Sequence, residues 1–358
     1  LHRAGLICIR EACFDKTEQY LAKLEQLLTT FESLEYSGKL NLSRGNMAIT
    51  RGDHFDAVDY LIQAATYFDE AQLFTLSSHA NRFLSHAYQK LNKYSDAIIA
   101  LDAALSAALK SENVQLEMAA ARQKSGLYTS LDLVEKSLEI QIQQIQKIPY
   151  LPKQAQEFWM NDTFWGLAES YASLGDYQKS LDYFSKVYEK DKKLSGKQDI
   201  AITLRRMGEQ HVSMGQFEQA SAYFQESLDI LTELNIPLAV IGTQIDQANM
   251  YLRQGMLDQA QNVLESILSQ LDQEKNINLF VRASYLLIDV YLQREMFDRA
   301  VQQLQLIEGS KNKEAQQYYG FLSQALQGLG DFENAFAAQN QMHLAYKNQM
   351  QEQGSIKT

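Results

Sequence analysis

The sequence predicts an all-α fold, a solenoid of about eight antiparallel helix pairs, and three observations predict it. Only three prolines (Pro149, Pro152 and Pro237) and 17 glycines occur in 358 residues, too few turn formers for a strand-rich chain. A small residue recurs at Ala57, Ala97, Ser137, Ser180, Ala220, Ala260, Ala300 and Ala335, at intervals of about 40, 40, 43, 40, 40, 40 and 35 residues. Turn positions recur in the same register, at Gly52-Asp53, Asn92-Lys93, Asp132-Leu133, Gly175-Asp176, Gly215-Gln216, Gly255-Met256, Glu295-Met296 and Gly330-Asp331.

Taken in order, the elements begin with an N-terminal helical segment, residues 1–37, holding a lone helix from about Asp15 to Phe31. Three helix pairs follow over 38–148, the first starting near Gly38. Their third member, around Ser137, is degenerate: its turn lacks Gly, and Tyr128 is its only good match to the pattern. Lys147-Ile-Pro-Tyr-Leu-Pro152 is the one proline-bearing junction of note and is expected to bend the chain there. Five further pairs are expected over 149–350, and 351–358 reads as a tail leading toward an output domain.

Within each pair the pattern has a physical reason. A small residue early in the second helix lets its backbone approach the first. Four residues on, Leu61, Leu101, Phe184, Phe224, Leu264 and Leu304 share its face and fill the seam. Nine residues before the small residue stand Tyr88, Tyr128, Tyr171, Tyr251 and Tyr291, with His211 in that slot of its own unit. One pair cannot bury such a face alone, whereas stacked neighbours share a continuous core.

Two units carry a resemblance. One runs Phe164-Trp-Gly-Leu-Ala-Glu-Ser-Tyr171, Leu174-Gly-Asp-Tyr177, Ser180-Leu181 and Phe184. The next runs Leu204, Met207-Gly208, His211, Met214-Gly215-Gln-Phe217, Ala220 and Phe224. Together they resemble tetratricopeptide (TPR) repeats, in a long variety with about six residues more than the usual ~34, expected as added helix plus a loop. The resemblance implies a right-handed superhelix whose first helices line a concave groove that holds a protein or peptide.

Fifteen residues before each small residue, the expected groove slot reads Leu42, Arg82, Arg122, Trp165, Arg205, Ile245, Tyr285 and Gly320. One turn further on it reads Asn46, His86, Gly126, Glu169, Glu209, Asn249, Asp289 and Gln324. From these, Arg82, His86, Arg122, Trp165, Glu169, Arg205, Glu209, Asn249, Tyr285 and Asp289 are the expected partner-binding residues. The arginines suit bidentate capture of carboxylates, and Asn suits a partner's backbone amides. The competing reading is a solvated face on which the arginines pair with Glu169, Glu209 and other local acids.

Other chemistry is thin. The net charge of −11 argues against a nucleic-acid surface. Ser195-Gly-Lys-Gln lacks the upstream Gly and the Ser/Thr of a phosphate loop, and Gln327-Gly-Leu-Gly-Asp331 is a repeat turn with no strand before it. His79 and His86 lie seven apart on one face without a third ligand, so no metal is expected, and no cofactor either. Cys8 and Cys13 are expected as reduced thiols. No stretch approaches the ~18 apolar residues of a membrane span.

The function expected is therefore binding, not catalysis: a TPR-like scaffold serving as the sensory or regulatory region of a bacterial signalling protein. Its output domain, a cyclase or kinase, would lie beyond Thr358. The alternatives are a quorum-peptide receptor resembling the Rap and PlcR-type regulators, or a plain assembly scaffold. The partner is expected to be a protein or peptide, with an acidic one and a homodimer left open. The location expected is cytoplasmic, or periplasmic should a signal lie outside this segment.

Overall fold

A computed structural model describes residues 14–194, 196–310 and 315–357. Among them are 17 α-helices and no strand. Helix α1 (Phe14–Leu28) precedes three pairs: α2 (Leu34–Arg51) with α3 (His54–Glu70), α4 (Phe74–Lys90) with α5 (Tyr94–Lys110), and α6 (Val114–Ser130) with α7 (Val134–Lys147). A 3₁₀ turn, Ile148–Tyr150, carries the first proline of the junction. Then come α8 (Lys153–Ser173) and α9 (Tyr177–Leu194), α10 (Lys197–Ser213) and α11 (Phe217–Glu233), α12 (Pro237–Arg253) and α13 (Leu257–Gln270). The series closes with α14 (Ile277–Gln293) and α15 (Phe297–Leu306), then α16 (Ala315–Gly328) and α17 (Phe332–Lys357). The chain forms two compact units, one ending at Ser170 and the other spanning Tyr171–Glu352. Cys8 and Cys13 lie outside the described residues.

The 40-residue period has a simple origin. Helices α4, α5, α6, α10, α11 and α12 each have 17 residues, and three-residue connections such as 91–93, 111–113, 214–216 and 234–236 join them. The extra length relative to a ~34-residue repeat is therefore all helix; the loop expected from the sequence is absent in these units. The first pair also starts earlier than Gly38, because Ser33 caps α2 with its Oγ accepting from the Tyr36 N–H at 3.4 Å.

Every expected turn holds a residue in the left-handed region: Gly52, Gly175, Gly215, Gly255 and Gly330, and, without glycine, Asn92, Asp132 and Glu295. The residue after it donates back five positions to the preceding helix. Thus Lys93, Leu133, Asp176, Gln216, Met256 and Met296 bond the carbonyls of Tyr88, Tyr128, Tyr171, His211, Tyr251 and Tyr291 at 2.8–2.9 Å. This is the Schellman arrangement, which satisfies orphan helix-end carbonyls. The recurrent aromatic slot is thus also the residue whose carbonyl closes the turn. Its ring packs on the second helix: Tyr171 stacks on Tyr183 at 5.7 Å and His211 on Tyr223 at 5.1 Å.

The seam is equally regular. All eight small residues are buried, as are Leu61, Leu101, Phe184, Phe224, Leu264 and Leu304. In the degenerate third pair the seam slot holds Gln141, buried, its Nε2 donating to Ser125 Oγ at 2.9 Å and Ser137 Oγ at 3.1 Å. Ser125 and Ser137 share a further hydrogen bond of 2.8 Å, and Thr129 donates to Ser137 at 2.8 Å. A polar knot thus replaces the aliphatic seam there.

Within each unit, first helices of successive pairs touch: α2 with α4 and α4 with α6 in the first, α10 with α12, α12 with α14 and α14 with α16 in the second. Second helices stand further apart. The first helices of successive pairs thus share one face within each unit.

Candidate functional site

In the first unit, two of the expected arginines lie side by side on α4 and α6. Arg82 is half-buried, and its Nε donates to Gln123 Oε1 at 3.2 Å, while Gln123 Nε2 donates to the Arg82 carbonyl at 3.0 Å. Burial, then the charge of Arg122, holds the Arg82 guanidinium below its ordinary pKa. Arg122 is exposed and pairs with Asp162 at 3.1 Å. Burial raises the Asp162 carboxyl, and Arg122 opposes the rise. His79 and His86 are held below the usual imidazole range, chiefly by burial; Arg82 adds to this at His79, Lys90 and His54 at His86. Trp165 and Glu169 are half-buried on α8. No three of His, Cys, Asp and Glu come together as a metal-ligand set among the described residues.

The second unit gathers more. A pocket of about 480 Å³ lies on the first-helix face of α10, α12 and α14, lined by Arg205, Arg206, Glu209, Asn249, Arg253 and Arg282 around Asp246. Asp246 is only 3% exposed and lies between two cations: Arg282 pairs with its Oδ1, and Arg205 Nη1 stands 3.6 Å from its Oδ2. Burying a carboxylate alone would be costly, and the two guanidinium groups offset that cost. Gly242 leaves room beside the pair, since a Cβ there would stand 3.0 Å from Arg205 Nη1. Arg206 pairs with Glu209 at 2.8 Å. Burial also lowers the Arg282 pKa, with Glu209 opposing it.

Of the residues expected from the sequence, Arg205, Glu209 and Asn249 meet in this pocket. Tyr285 is instead buried, its ring 6.1 Å from Phe321, and Asp289 accepts from Gln293 at 3.0 Å. Arg206, Asp246, Arg253 and Arg282 were missed. Asp246 and Arg206 sit one position past the slot that was read, and Arg282 three before the Tyr285 slot, so a fixed two-position template skips them. Local acids do pair with these arginines, as the competing reading has it: Arg205 meets Asp246 and Arg122 meets Asp162.

Residues 159–233 match the family model described as tetratricopeptide repeat. The chain has the TPR fold. The TPR array is similar to the apo form of RapI, at 12% identity and a TM-score of 0.66, over 97% of this chain and 96% of that one. It is similar to a Rap protein complexed with competence and sporulation factor, at 14% identity and a TM-score of 0.56, over 98% of both chains. A tetratricopeptide repeat protein from Parabacteroides merdae ATCC 43184 matches at 16% identity and a TM-score of 0.61, over 81% of this chain and 99% of that one. No curated protein sequence matches the TPR chain. No helix among the described residues is long and apolar enough to cross a membrane.

Proposed function

We propose that the chain is a regulatory scaffold that binds a short peptide, or a peptide-like segment of a protein, on its first-helix face. The observation that carries this is the pocket of about 480 Å³ between α10, α12 and α14, where arginines, carboxylates and an amide from three successive repeats converge. A volume in the ~300–1,000 Å³ range suits a ligand rather than a single water or ion. The likeness of fold to a Rap protein complexed with competence and sporulation factor, over 98% of both chains, supports a receptor reading, and the location proposed with it is a bacterial cytoplasm. The role assigned is binding, not catalysis. A sensory region feeding an attached output domain is the second reading, and the same face would serve it.

The test is selection of a phage-displayed random peptide library on the immobilised protein, followed by calorimetry of the enriched peptides. Binding is expected to weaken at least tenfold in Asn249→Ala and in Arg205→Glu. Enriched peptides that bind both variants as tightly as the parent would place the site elsewhere. A selection that enriches nothing would remove the peptide reading.

A further inference from the structure

Resting on that peptide reading, we propose that the pocket between α10, α12 and α14 selects an acidic side chain on an extended peptide, so that the ligand is an acidic peptide. The local charge favours it. Four guanidinium groups (Arg205, Arg206, Arg253 and Arg282) face two carboxylates (Glu209 and Asp246), leaving two positive charges in a chain whose net charge is −11. A pocket of opposite sign to its protein concentrates anions locally.

The four arginines are not equivalent. Arg206 is engaged by Glu209, while Asp246 holds Arg205 and Arg282. One carboxylate cannot neutralise two guanidinium groups; buried at the centre, Asp246 fixes where they stand and so lowers the cost of ordering them on binding. The Arg282 side chain remains 43% exposed at the rim. Arg253, exposed beside it, makes no ion pair or hydrogen bond among the described residues. Arg253 and Arg282 are thus placed to take a carboxylate from solvent.

Two further groups ask for a peptide rather than a bare anion. Glu209 Oε1 is buried without a hydrogen-bond partner among the described residues, and such an acceptor needs a donor that no carboxylate supplies. The half-buried Asn249 amide in the same lining makes no hydrogen bond to a described residue, and it can both donate to and accept from a backbone amide. A backbone N–H next to an acidic side chain meets both needs. A phosphoryl dianion fits less well, because its second charge would face Glu209 and Asp246.

The experiment uses three capped, fluorescein-labelled octapeptide libraries that differ only in a central Glu, Gln or phosphoserine, read by fluorescence anisotropy. The Glu library is expected to bind at least tenfold tighter than the Gln library, with the gap narrowing as salt rises. Arg253→Gln should remove that preference without changing the melting curve, since the exposed Arg253 makes no ion pair or hydrogen bond among the described residues. Asn249→Ala should weaken the Glu and Gln libraries equally. Equal binding of Glu and Gln by the parent overturns the carboxylate assignment and leaves the peptide reading standing. No binding by any library overturns both. Tighter binding of phosphoserine makes this a phosphoryl site, and a preference that survives Arg253→Gln also rejects the proposal.

Discussion

His79 and His86 are titratable side chains on α4 whose surroundings disfavour the charged form. Both are held below the ordinary imidazole pKa, first by burial and then by cations, Arg82 for one and Lys90 with His54 for the other. With the folded pKa depressed, the unfolded chain binds more protons than the folded one just below the ordinary value of ~6.5. Their contribution is therefore complete above that pH and is lost progressively as pH falls from there through the lower folded pKa. The melting temperature is expected to drop between pH 7.5 and 5.5, and His79→Asn with His86→Asn to flatten that slope; an unchanged slope would assign the loss to other groups. Gly255 isolates a different residue-scale effect. Its φ is +74° and a Cβ there would meet nothing within 4 Å, so Gly255→Ala pays only the left-handed penalty. Thermal unfolding should show a loss of about 1 kcal/mol, and Gly255→Asn should lose less. Glu295, at φ +57° in the equivalent turn, already bears that strain.

At the scale of the element, the seam between first and second helices was legible wherever one residue type filled it. Ala220 with Phe224 and Ala260 with Leu264 announce themselves by spacing, and all four are buried. The third pair was read as degenerate for want of such residues, but a sequence pattern does not say that Ser125, Thr129, Ser137 and Gln141 join in a hydrogen-bonded knot. Gln141 Oε1 has no hydrogen-bond partner there, while the hydroxyls can still bond one another without Gln141. Gln141→Leu, which restores the residue type of the other repeats, should therefore raise stability by about 1 kcal/mol in denaturant titrations. A loss of similar size would show that the amide is needed to hold the knot. Helix starts were less legible: the Ser33 cap moves α2 to Leu34, ahead of the apolar pattern that suggested Gly38.

Across the whole molecule, period and turns could be read because each depends on a few residues repeated at fixed spacing. The pocket could not be read as fully. Arg205, Glu209 and Asn249 fell on the template, whereas Arg206, Arg253 and Arg282 reach the pocket from off-template positions through long side chains, and Asp246 sits one position past its slot. Guanidinium groups act several bonds from their own backbone, so spacing along the chain locates their anchor and not their charge. The three-residue connections at 214–216, 234–236 and 254–256 carry one last implication, about how such a chain can change length. Gly215 and Gly255 have nearly the same φ, +73° and +74°, and stand one period apart. A genetic exchange that fuses the chain at one to the chain at the other adds or drops a complete module, and every later small residue still meets its seam. An insertion of one or two residues inside a 17-residue helix instead turns all that follows by about 100° per residue. Growth is thus permitted in whole counts and resisted in fractions.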